Sequence, residues 1–248
     1  LDGSNVTFSG DAALTTGTGT NPDGSLQGLV LKNGSTLTSP VAMAVVGDVA
    51  IDATSTVSHA LGGSITGNVT NAGLIYWKNL GQTLTVNGNY VGVPGSRLSL
   101  ETHLADDSSG TDKLHVTGDT SGTSAITVRP AAGSPGAQTV DGIKVVQVDA
   151  LSAASSFTMA APVQAGAYEY ILRQGGTVSG GQSWYLTSTY VPPTPPIDPT
   201  VPPGPAIYRP GIANYVSGQA FNIEQGLLQV STYHQRPGQE YSVDTEGR

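Results

Sequence analysis

Four histidines, His59, His103, His115 and His234, are the side chains best suited to bind a metal or move a proton near neutral pH. None has the i and i+4 pairing with a nearby carboxylate that sets two imidazoles toward a zinc ion. His103 and His115 fall at outward or edge positions of predicted strands and read as solvated surface residues. Asp106, Asp107 and Asp112 cluster about a Ser-Gly turn and carry the hard oxygens that Ca²⁺ requires. The repeated Gly-Gly-x-Gly-x-Asp pattern of calcium-binding β-rolls is absent around them. The segment GGSITG, Gly62–Gly67, misses the G-x-S-x-G spacing of a nucleophile elbow and reads as a turn. Asn5, Asn33 and Asn68 open N-x-Ser/Thr sequons and read as turn residues. The absence of cysteine excludes disulfides, thiol catalysis and cysteine-bound metal. The expectation is no catalytic residue, no metal and no cofactor within these residues.

The elements that would position any such group are strands. From Leu84 to Val128, Leu84 and Val86 alternate with polar residues, as do Leu98 and Leu100, Leu114 and Val116, and Ile126 and Val128. A period of two turns one apolar face inward on each strand, so the stretch predicts four strands. The turns between them, NGNY, PGS, DDSSGTD and GDTSG, are rich in residues that accept φ > 0 or bond their own backbone. Before residue 80, apolar patches at Leu29–Leu31, Val45–Ile51, Ile65–Val69 and Leu74–Ile75 recur about every twenty residues, the signature of stacked solenoid coils. A β-sandwich is the plainer alternative. Residues 81–190 read as a β cap on that stack. They concentrate Phe157, Tyr168, Tyr170, Trp184 and Tyr185, and in GIKVVQV the alternation slips between Val145 and Val146, predicting a strand buried on both faces or a bulge.

Composition agrees with an all-β body. Only 11% of the 248 residues are charged, glycine numbers 33, and the net charge of −8 disfavours a phosphate-binding or anionic-lipid-binding surface. No apolar run approaches the roughly 20 residues of a membrane helix. The start at Leu1 and the lack of a signal peptide suggest a processed or excised fragment.

At Val191 the composition changes. Val191–Pro205 holds eight of the sixteen prolines, which predicts an extended linker. At about 3.1 Å per residue it would span roughly 45 Å. Beyond it, Ala213, Val216, Ala220, Ile223, Leu227, Val230 and His234 recur at helical spacing and form one moderately apolar stripe. Gly218 and Gly226 weaken that helix by about 1 kcal/mol each relative to alanine. The stripe reads as built to sit inside something else.

The order of these parts resembles the C-terminal passenger region of type V autotransporters of the AIDA-like and pertactin-like kind. The motifs that carry the likeness are GNY at Gly88–Tyr90, SRLSLETHL at Ser96–Leu104, Ser109–Val128, and DGIKVVQV at Asp141–Val148. YEYILRQGG, SWYLTS and the segment from Tyr208 to Arg236 extend it, so the likeness covers about residues 65–248. It implies a right-handed parallel β-helix with a C-terminal β cap, followed by a Pro-rich linker and a short α-helix. The implied organisation is stem coils at 1–80, an autochaperone or junction cap at 81–190, a linker at 191–206, a helix threading the translocator barrel at 207–234, and the start of that barrel at 235–248. It further implies a non-catalytic stem that nucleates folding at the bacterial cell surface and presents an adhesin, for adhesion, aggregation or biofilm. The expected nucleus core is Leu98, Leu100, Leu114, Val116, Ile126, Val128, Tyr170 and Trp184. The expected pore-helix stripe is Ala213, Val216, Ala220, Ile223, Leu227 and Val230. Its partners would be the protein's own outer-membrane β-barrel, with host-surface or matrix molecules or a second passenger beyond it. The alternative is the stem of an autotransported protease or esterase whose catalytic domain lies upstream of residue 1.

Overall fold

The computed structural model describes residues 1–8, 13–16, 28–190 and 204–234, with side chains described as far as residue 229. Chain order begins with β1 (Asn5–Thr7) and β2 (Leu14–Thr15). A three-strand coil then repeats. It comprises β3 (Gly28–Leu31), β4 (Thr36–Ser39) and β5 (Met43–Val46). The next holds β6 (Asp48–Ile51), β7 (Thr56–His59) and β8 (Gly63–Thr66). After it come β9 (Val69–Asn71), β10 (Leu74–Trp77) and β11 (Thr83–Val86). The fourth has β12 (Tyr90–Gly92), β13 (Arg97–Thr102) and β14 (Lys113–Val116). The last contains β15 (Thr120–Gly122), β16 (Ser124–Pro130) and β17 (Ile143–Val148), and leads into β18 (Phe157–Met159). The final strands are β19 (Val163–Ala165), β20 (Tyr168–Gly176) and β21 (Gly180–Thr187).

Corresponding strands of successive coils pair in parallel, which makes the fold an all-β solenoid of three sheets among the described residues. Thr36 lies beside Thr56, Met43 beside Gly63 and Val49 beside Val69, a step of 20 residues in each sheet. Alternation turns every second side chain into the interior, where the three sheets bury one another. One inward row runs Val6, Leu37, Val57, Ile75, Leu98, Ile126. Another runs Val45, Ile65, Val86, Val116, Val148. A single continuous core results.

Parallel stacking passes residues 80 and 81 without a break, because β11 stacks on β8 as β8 stacks on β5. The step then lengthens to 30, with Thr83 beside Lys113, and to 32, with Leu114 beside Val146. Longer corners at 103–112 and 131–142 supply the extra residues. At the C-terminal side the pattern changes. β21 pairs antiparallel with β17, β20 with β21, and β19 with β20.

Several local expectations need revision. Leu84–Val128 contains six strands, since Tyr90–Gly92 and Thr120–Gly122 are strands of three residues inside what reads as turn sequence. GGSITG is strand as well, with Gly63–Thr66 forming β8. Its glycine at 63 answers to close approach, because a Cβ there would lie 2.0 Å from the Met43 carbonyl oxygen. The slip in GIKVVQV is both things at once: Val145 and Val146 are each fully buried, and the register with β21 shifts between Lys144 and Val146.

The chain divides into two compact units, residues 1–208 and 209–248. The second contains α1 (Ile212–His234). On it Ala213, Val216, Ala220, Ile223 and Leu227 are exposed, and Val230 lies on the same helix. No described helix is long and apolar enough to cross a membrane, which says nothing of strands. Of the linker expected at 191–206, residues 191–203 lie outside the described residues, as does the barrel start expected at 235–248.

Candidate functional site

The carboxylates whose residue type suits metal binding are largely committed to backbone. Asp106 Oδ1 accepts the amide of Ser108 at 3.0 Å and its hydroxyl at 2.6 Å. Asp107 reaches the next long corner, where its carboxylate accepts three consecutive amides, Val140 (3.0 Å), Asp141 (2.8 Å) and Gly142 (2.9 Å). Three converging N–H groups make an anion nest, and here the anion is the protein's own. Asp112 is buried and accepts the amides of Gln82 (3.1 Å) and Glu101 (2.7 Å). Burial raises its pKa despite those two bonds. No group of His and carboxylate residues suited to a metal occurs among the described residues.

His115 sits on the outer face of β14 with Nε2 2.7 Å from Asp149 Oδ2, and His103 is half-buried just after β13. His59 is the exception. It points inward from β7, fully buried, and meets the Trp77 ring edge-on at 4.8 Å between centroids. Neither ring nitrogen has a hydrogen-bond partner, and burial pushes the imidazole down to about 4. It is therefore neutral at pH 7 and fills space as an aromatic.

What the structure does assemble is a densely cross-tied segment. Leu98 faces Ile126 and Leu100 faces Val128 across β13 and β16, while Leu114 faces Val146 and Val116 faces Val148 across β14 and β17. All these side chains are buried, as are Tyr170 and Trp184. Phe157 stacks on Tyr90 at 5.8 Å and meets Trp184 edge-on at 5.5 Å, so one aromatic file crosses from β12 through β18 to β21. Such pairs add about 0.5–1.5 kcal/mol each beyond area burial.

Polar groups tie the same coils. Asn71 Nδ2 donates to the Tyr90 hydroxyl (3.0 Å) and Ser96 Oγ (2.8 Å), and Ser124 Oγ lies 2.9 Å from Tyr90 Oη and 2.7 Å from Ser96 Oγ. The cluster is wholly buried, and burial raises the Tyr90 pKa. Tyr170 Oη lies 2.9 Å from the Ala105 carbonyl and 2.8 Å from that of Ala137, and accepts the Ala137 amide at 2.9 Å. One side chain thereby clamps both long corners. Trp184 Nε1 donates to Ser152 Oγ at 2.9 Å. Arg129 crosses back two coils, with its guanidinium 4.5 Å above the Tyr76 ring, donating to Tyr76 Oη at 3.1 Å and to the Trp77 carbonyl, and 3.7 Å from Glu101.

Sequence reading also missed a ladder at one corner of the coil. Asp48 Oδ1 accepts the Asn68 amide (2.7 Å), Asn68 Oδ1 that of Asn89 (2.9 Å), Asn89 Oδ1 that of Asp119 (2.8 Å), and Asp119 Oδ1 that of Leu151 (3.0 Å). The signal was present as Gly47-Asp48, Gly67-Asn68, Gly88-Asn89 and Gly118-Asp119, a dipeptide at the head of the coils that begin with β6, β9, β12 and β15.

The autochaperone domain type 1 family matches residues 43–172, which spans these coils and their ties. The chain is similar to the adhesin BmaC autotransporter of Brucella suis biovar 1 (strain 1330), 40% identical over 178 residues, 68% of this chain and 5% of the relative. It is similar to the autotransporter adhesin AIDA-I of Escherichia coli, 46% identical over 112 residues, 45% of this chain and 8% of that one. The probable autotransporter YfaL of Escherichia coli (strain K12) is 37% identical over 145 residues, 55% of this chain and 11% of the relative. The chain thus spans a small part of each relative's length.

Proposed function

This chain belongs to the type 1 autochaperone domain family, and we propose that residues 81–190 are the part of an autotransporter passenger that folds first and templates the coils before it. One observation carries the reading. β21 runs antiparallel along the edge of β17 that a further parallel coil of that sheet would need. Growth by parallel stacking from this segment therefore proceeds toward the N terminus. Each added coil finds a formed edge and is spared nucleation, as in other repeat proteins stabilised by nearest-neighbour contacts. In this reading the solenoid is right-handed, residues 1–80 are stem, 81–190 are the autochaperone cap, 191–206 is a spacer, and the apolar stripe of α1 lies in the protein's own outer-membrane barrel, whose first residues are 235–248.

The relatives named as adhesins extend the proposal to the whole protein: a surface-held or released passenger that presents adhesive coils to a host surface, the extracellular matrix or another passenger, with these residues as its non-catalytic stem.

The test is surface display of the full autotransporter carrying Leu100→Ala or, as comparator, Leu37→Ala. The expected result is that Leu100→Ala lowers surface yield far more than it lowers the melting temperature of passenger already folded. Equal losses from the two variants would leave both residues as ordinary core and overturn the nucleus assignment.

A further inference from the structure

The apolar interior of a solenoid leaves one problem unsolved. Two of its inward rows are Val, Leu and Ile throughout, and in strands with two apolar inward residues, such as Leu29–Leu31 and Val49–Ile51, a slip of two residues returns an apolar side chain to the interior. Something position-specific must choose between those registers.

We propose that the Asp/Asn ladder makes that choice, so that the docking edge recognises in its client segment a glycine followed by Asp or Asn. The inference rests on the templating role proposed above and names what the template reads. Each coil edge presents one backbone N–H at the corner, and the coil on its N-terminal side brings the acceptor. Asn68 Oδ1 meets the Asn89 amide at 2.9 Å, and Asn89 Oδ1 meets that of Asp119 at 2.8 Å. Strands in a sheet lie about 4.8 Å apart. An acceptor one carbon beyond Cβ spans that gap. Asp and Asn serve alike because only an acceptor oxygen is used.

The glycines make room for this contact. A methyl group on Gly118 would lie 2.3 Å from Asn89 Oδ1, the hook oxygen itself. One on Gly67 would lie 2.4 Å from the Gly47 carbonyl oxygen, and one on Gly88 2.4 Å from that of Gly67. The corner thus favours the dipeptide, and the segment before the template carries it at Gly47-Asp48 and Gly67-Asn68, while Gly28 stands at that position in the coil that begins with β3.

The absence of cysteine permits a direct readout of register. Thr70 lies beside Val91 in the native pairing, on the strands that follow the Asn68 hook. Thr70→Cys with Val91→Cys reports the native register, and Thr70→Cys with Val93→Cys reports a slip of two, since neighbouring strands fall within disulfide reach. The chain is refolded from denaturant with brief oxidation at set times. Asn68→Ala is expected to raise the slipped crosslink about five- to tenfold, the population change for one lost hydrogen bond. Asn68→Asp is expected to match the parent, because Asp48 and Asp119 already serve the ladder in that form. Native crosslinks alone in Asn68→Ala, even with a lower melting temperature, would overturn the proposal and leave the ladder a stabilising ornament. Slippage in Asn68→Asp equal to that in Asn68→Ala would also overturn it. Hydrogen exchange pulsed during the same refolding tests the templating role separately. Protection of 28–77 no later than 83–190 would remove the template while the crosslinks still judge the hook.

Discussion

The coils between Gly28 and Trp77 and those between Thr83 and Thr187 share one architecture and differ in what holds them. The first set is regular. It steps mostly by 20 residues, turns on short corners, and buries mainly aliphatic side chains in rows, with His59 and Trp77 as an aromatic pair. Apart from the Arg129 contact to Tyr76 and Trp77, the strand pairings of these coils are with their neighbours, so their stability is close to a nearest-neighbour sum. The second set is cross-tied. The Asp107 nest, the Tyr170 clamp, the Tyr90–Phe157–Trp184 file and the antiparallel pairing of β21 with β17 link residues 27 to 67 apart in sequence. Such links raise the loss when any one member is removed, because buried partners are left without their contacts. The lesson is that a repeat architecture can hold both a propagating part and a cooperative part without changing its coil.

The comparison breaks most visibly at the aromatic file. Trp184→Ala should cost about 3–5 kcal/mol and Leu37→Ala about 2–5 kcal/mol. The decisive measurement is native-state hydrogen exchange by segment. Trp184→Ala is expected to lower protection throughout residues 28–190, and Leu37→Ala only near β1, β4 and β7. Spread of the Leu37→Ala loss into 83–187 would erase the distinction between the regions.

Acid offers a second way to separate them. His59 has a folded pKa of about 4 against an ordinary value near 6.5, so the unfolded chain binds the extra proton between those pH values. Stability contributed by the neutral imidazole is present above about pH 6.5 and is lost as pH falls toward 4, up to about 3 kcal/mol. Exchange protection around β7 and β10 should fall first on acidification. His59→Phe should flatten that part of the pH profile, and an unchanged profile would assign the acid sensitivity to other groups.

A smaller effect sharpens the account of the long corners. Asp107→Ala leaves three amides without their acceptor and should cost about 1 kcal/mol, since water can reach the corner. Faster exchange at Val140, Asp141 and Gly142 with the remainder intact is the expected result. Smallest of all, Thr127→Ala on the exposed outer face of β16 should change the melting free energy by less than about 0.5 kcal/mol. A larger loss would mean that the outer face also carries cooperative contacts.

Much of this molecule was determined by sequence alone. Strict alternation at Leu98–Leu100, Leu114–Val116 and Ile126–Val128 specifies strands with one buried face, because side chains on a strand must alternate. The recurrence of apolar patches about every twenty residues specifies stacking, because a single coil cannot bury its own interior. The double valine at 145 and 146 announced an irregular strand for the same steric reason. Only tertiary structure decided the rest. Tyr90–Gly92 is a strand because strands on both sides supply hydrogen bonds, and Thr120–Gly122 because β12 pairs with it on one side and Ser152 bridges Thr120 on the other, which outweighs their turn-forming composition. His59 faces inward because Ser39 and Trp77 flank it in register, and nothing in its local sequence states that company. Asp107, Asp112 and the ladder from Asp48 to Asp119 find their partners 11 to 35 residues away, across coils. Local pattern records which face a residue takes. Which distant backbone it meets depends on the length of every corner in between, and that is settled when the coils stack.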